Sequence, residues 1–116
     1  VGAFLFNIAK GKVARYADLP NANDAIVAVL LKASGLESDA VLADYDTLAA
    51  ILAAANDEET ATGYARQTLG SVTVTVDDTN NRVDVDCADP SFTTTTALAS
   101  GKIVFCYDPD TTAGTD

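Results

Sequence analysis

The chain has 116 residues, 48% of them apolar, which is enough for one domain with a buried core. Seven basic residues against seventeen acidic ones give a net charge of -10, a surface that repels phosphate and argues against nucleic-acid binding. His, Met and Trp are all absent, so any mechanism that needs an imidazole base or ligand from this chain is excluded.

No apolar run reaches the ~20 residues of a membrane span, and residues 1–6 lack the basic n-region of a secretory leader. The charge is uneven. Residues 1–36 carry Lys10, Lys12, Arg15 and Lys32 against Asp18 and Asp24, for +2. Residues 37–116 carry Arg66, Arg82 and Lys102 against fifteen acids, for -12. A weakly basic end on an acidic body favours docking onto an acidic surface, another copy of the chain included.

Residues 1–24 read as an N-terminal arm. Phe4-Leu5-Phe6 is apolar, Lys10-Gly11-Lys12 is a polar hinge, and residues 13–17 fit a strand or a helical turn equally. Residues 25–110 read as one compact domain and residues 111–116 as a tail. Ala25 to Leu31 is a seven-residue apolar run whose length and β-branched content predict a strand buried on both faces. Leu42, Tyr45, Leu48, Ala49 and Leu52 recur at helical spacing and predict one helix over about 42–55. Residues 64–69 alternate as a strand. Val72, Val74 and Val76, then Val83, Val85 and Cys87, alternate with polar residues and predict a hairpin with one apolar face. Residues 91–93 resume its second strand. Thr93 to Gly101 reads as an exposed loop, 103–107 as a strand and 108–111 as a turn.

The fold class that follows is α+β: a mainly antiparallel sheet, sandwich- or barrel-like, with one helix packed on it and an N-terminal arm. Cys87 and Cys106 are too few for a zinc site without His and read as small buried apolar residues, with a bridge between them as the alternative. The acids Asp77, Asp78, Asp84, Asp86 and Asp89 lack the spacing of a calcium loop and suit the solvated side of a hairpin. No nucleophile elbow or phosphate loop is present. Neither an enzyme nor a cofactor is expected.

Four segments in order resemble a family of small virion-associated structural proteins of tailed bacteriophages. They are Gly2-Ala3-Phe4-Leu5-Phe6-Asn7 with Lys10-Gly11-Lys12; residues 29–37 running into 44–49; the hairpin, residues 74–86; and Cys106-Tyr107-Asp108 with Asp110-Thr111-Thr112. The resemblance spans nearly the whole chain, and its motifs are structural rather than catalytic. Family members run past this tail, so the chain is expected to be processed or partial. The resemblance implies a capsid decoration (cement) protein or a head-fibre base. A tail or neck component is the alternative, followed by a small-molecule or carbohydrate-binding domain around Tyr64, Tyr107 and the Thr-rich loop.

The partners expected are the major capsid protein and copies of the chain itself, in a homo-oligomer with a trimer favoured, inside a virion assembled in the bacterial cytoplasm. Phe4, Leu5, Phe6 and Tyr16 are expected as apolar anchors, with Lys10, Lys12 and Arg15 steering the encounter. Removing residues 1–12 is then expected to abolish binding and spare the fold. The bland alternative for Phe4 and Phe6 is that they complete the core.

Overall fold

The computed structural model of the chain describes residues 2–11, 19 and 21–113. Their architecture is α+β and mainly antiparallel sheet. Five strands form two sheets: β1 (Ala25–Lys32), β2 (Gln67–Leu69), β3 (Thr73–Asp77), β4 (Arg82–Asp86) and β5 (Ser100–Asp108). Three short helices accompany them: α1 (Asn7–Gly11), α2 (Asp39–Leu42) and α3 (Leu48–Ala53). No closed barrel forms among the described residues.

The larger sheet has the order β2-β1-β5, all antiparallel. Its centre is β1, where Ala28, Val29, Leu30 and Leu31 are all buried, as the unbroken apolar run requires. β5 pairs with it along its length, from Ala25 opposite Asp108 to Lys32 opposite Ser100, with an irregularity between Leu31 and Lys32. Gly101 sits at that irregularity. A Cβ there would stand 2.7 Å from the Cα of Ala33, so the close approach of the two segments needs glycine. Beyond β2, residues 57–59 continue along the free side of β1, through Lys32 N–H to Asp57 O (2.8 Å) and Glu59 N–H to Leu30 O (2.9 Å). β5 therefore begins at Ser100, inside the segment whose composition predicts a loop. Residues 91–93 do not resume a strand, and Phe92 stacks on Tyr64 with ring centroids 5.8 Å apart.

The single helix expected over 42–55 is two short pieces. The reason is local: the hydroxyl of Thr47 accepts from Ala50 N–H at 3.1 Å and caps a new start, so residues 43–47 form the link. The apolar stripe survives the break. Leu42 and Ile51 join Leu31 and Val104 in the core cluster, and Tyr45 and Leu52 pack against it. The broken helical segment thus lies on the β1–β5 sheet, as a helix there was expected to do.

The smaller sheet is the β3–β4 hairpin, in register from Thr73 opposite Asp86 to Asp77 opposite Arg82. Its turn is built by Asp77, whose carboxylate accepts from the N–H groups of Thr79 and Asn80, while Asn81 takes the left-handed conformation (φ 53°) that suits asparagine. The expected alternation is present, but the apolar face is not covered: Val76, Val83 and Val85 are 66%, 53% and 44% exposed.

Candidate binding surface

The anticipated docking residues fall into three groups. Phe4 and Phe6 contact each other at 5.2 Å between ring centroids and pack against the core cluster. Leu5, between them in an extended stretch, points outward and is 52% exposed. Lys10 is exposed and donates to Asn7 Oδ1 (2.9 Å). Lys12, Arg15 and Tyr16 lie outside the described residues.

The N-terminal segment is fastened by polar contacts as well as by its rings. Asn7 N–H donates to Ala43 O at 2.8 Å, and its side-chain amide donates to Asp44 Oδ1 at 2.6 Å. Lys102 on β5 reaches two elements at once. Its ammonium pairs with Asp39 in the first turn of α2 and lies 4.7 Å from the centroid of the Phe4 ring. Its side chain is only 9% exposed, so the pair is sheltered on the lysine side.

Between this segment and β5 runs an apolar groove of about 660 Å³. Phe4, Leu5 and Phe6 form one wall, Ile103 to Phe105 the other, and Val85 of the hairpin stands at its rim. Ile103 and Phe105 are 38% and 52% exposed. Strand alternation places them on the sheet face opposite Val104, whose side chain enters the core. The groove runs along β5, and Val85, one residue of the hairpin's valine face, lines it as well. Val74 pairs with Val85 and Val76 with Val83, so that face carries no charge. The acids sit on the opposite face, where Arg82 bridges Asp77 (3.4 Å) and Asp84 (3.1 Å).

The strongest polar clusters are structural. The Glu59 carboxylate accepts from the N–H groups of Thr60, Ala61 and Ala99 and from the Ser100 hydroxyl, at 2.8–3.1 Å. Burial raises the Glu59 pKa, and these four donors more than offset it, so the carboxyl sits below its ordinary value. Asn56, fully buried, accepts from Glu37 N–H and donates to Glu37 Oε2 and Ile51 O. The Tyr45 hydroxyl donates to the same carboxylate oxygen, which raises its pKa.

Tyr64 and Tyr107, the side chains expected to line a carbohydrate site, have their hydroxyls committed internally. Tyr64 donates to Glu58 and accepts from Leu30 N–H, and Tyr107 donates to Asp24. Arg66 grips Glu58 through two nitrogens and holds its carboxyl below the usual range. Cys87 and Cys106 form no disulfide with each other and stand at half-buried positions, less enclosed than expected. Among the described residues no group of three His, Cys, Asp or Glu side chains is placed to hold a metal ion.

The exposed valines and the Ile103–Phe105 wall were not singled out by the sequence. Alternation marks a face as apolar; it does not say whether the chain itself supplies the cover. No family model matches the chain, and neither a curated protein nor a solved structure matches it.

Proposed function

We propose that the chain is a structural component of a tailed-phage virion. In this reading it is a capsid decoration protein or the base of a head fibre, held on the capsid surface by non-covalent adhesion. The observation that supports it most is the apolar groove, open on a charged domain and walled by the N-terminal segment with which the phage-family resemblance begins. Apolar side chains supply the affinity of such a contact, to the shell or to a neighbouring subunit on it, and the basic end of the chain steers docking on an acidic shell. The partners are the major capsid protein and copies of the chain, in an oligomer for which three-fold symmetry is favoured. The role is non-catalytic and needs no cofactor. Placement in the tail or neck is the alternative within the same class.

The test is co-sedimentation of the purified chain with capsids that lack it, titrated to saturation. Saturation at a copy number matching the icosahedral lattice is expected. Because Phe4 and Phe6 also pack on the core, deleting the first twelve residues would mix folding with binding. The sharper variant is Leu5→Asp with Lys10→Glu, both at exposed positions. It is expected to weaken binding at least about tenfold, or ~1.4 kcal/mol. Undiminished binding would move the contact away from this segment. Failure of the folded wild-type chain to bind would discard capsid decoration and put the tail or neck first.

A further inference from the structure

We propose that the valine face of the hairpin and the adjoining groove form one self-association surface, whose occupant is a second copy of this chain. The inference concerns which face the copies share, and it stands whether or not a capsid is the larger partner.

The first argument is continuity and extent. Leu5, Val76, Val83, Val85, Ile103 and Phe105 are each between 38% and 66% exposed. Val85 belongs both to the hairpin face and to the rim of the groove, which joins the two into one patch. The six together leave on the order of 400 Å² of apolar surface to water, within the range of the largest patch on a typical monomer, which is often a functional one. That is about half of the ~800 Å² that each partner buries in a standard interface, and is suited to the apolar centre of one with a polar rim.

The second argument is that the hairpin needs a layer it does not have. A two-stranded hairpin is marginal in water unless its apolar face packs on something. Here β3 and β4 pack chiefly on each other, and exposure rises toward the turn, from Val85 to Val83 and Val76. Two such faces satisfy each other by sheet-on-sheet packing.

The third argument is charge. The valine face itself carries none, because the strand acids Asp77, Asp84 and Asp86 stand on the other side of the hairpin with Arg82. Two copies of a chain with a net charge of -10 therefore meet through this face without burying a carboxylate in the contact.

Sedimentation velocity of the full chain, without capsids, tests this up to about 100 µM, where a contact of micromolar Kd is populated. The wild type is expected to sediment as a closed oligomer. Val83→Asp and, independently, Phe105→Asp are expected to reduce it to a monomer with an unchanged circular dichroism spectrum. If one variant fails to fold, the other decides. Thr75→Asp adds the same charge on the opposite face of the hairpin and is expected to keep the oligomer. A monomeric wild type, an oligomer that survives Val83→Asp and Phe105→Asp, or equal loss with Thr75→Asp would overturn the proposal. Each of these outcomes is read without a capsid, so it is separate from failure of the virion reading.

Discussion

Glu59 joins three stretches of chain through one buried carboxylate: its own turn at Thr60 and Ala61, the end of the Thr-rich loop at Ala99, and the start of β5 at Ser100. A carboxyl whose folded pKa is depressed stabilises the fold above its unfolded value, about 4.3 for Glu, and loses that contribution as pH falls through the folded value. Glu58, Glu59 and Asp77 are all depressed, Glu58 chiefly by Arg66 and Asp77 chiefly by the Asn80 side chain. The melting temperature is therefore expected to be flat near neutrality and to fall below about pH 4. Glu59→Gln has one acceptor oxygen where the carboxylate has two and adds donors of its own. It is expected to lower the neutral-pH melting temperature and to flatten part of the acid decline, as thermal melts from pH 2 to 7 would show. An unchanged pH profile would remove Glu59 from this role. The sequence shows Glu58-Glu59 as two similar acids after a helix, and only the converging donors distinguish them.

At the scale of elements, local pattern and tertiary context divide the work. The stripe of Leu42, Tyr45, Leu48, Ala49 and Leu52 was readable as a core face; Leu42, Tyr45, Leu48 and Leu52 are buried or pack on the core, whereas Ala49 is exposed. Its continuity was not readable, because Thr47 offers the backbone a cap that competes with an unbroken helix. Thr47→Ala removes that acceptor and is expected to cost about 1 kcal/mol, measured by urea denaturation. A change below a few tenths would mean that packing of Leu48 and Ile51 alone sets the start of α3. The hairpin was the firmest sequence expectation, and its strands and turn form as the alternation and the Asp-Asn cluster require. What covers its valines lies outside local pattern, since the same alternation serves a core face and an interface.

For the whole molecule, stability rests on the cluster of Leu31, Leu42, Ile51 and Val104 between the β1–β5 sheet and the two helical pieces. Leu42 is fully buried there, and Leu42→Ala is expected to cost about 2–5 kcal/mol. Leu5→Ala, on the open groove, is expected to change stability by no more than about 0.5 kcal/mol. Measured side by side in denaturant, the two separate the core from the binding surface. Comparable losses would place Leu5 in the core and withdraw it from the surface.

By itself the sequence determined the fold class, the central strand, the hairpin and its turn, because these follow from residue periodicity and turn chemistry within short windows. It also marked the N-terminal aromatics as one group. Tertiary structure decided which of them turn inward: Phe4 and Phe6 reach the core, Phe4 also meeting Lys102, while Leu5 stays out. It also decided that Ile103 and Phe105 line one groove with Val85 of the hairpin. These outcomes depend on which distant segments meet along β5. Such contacts join residues as far apart as Phe4 and Lys102, and no local pattern encodes them.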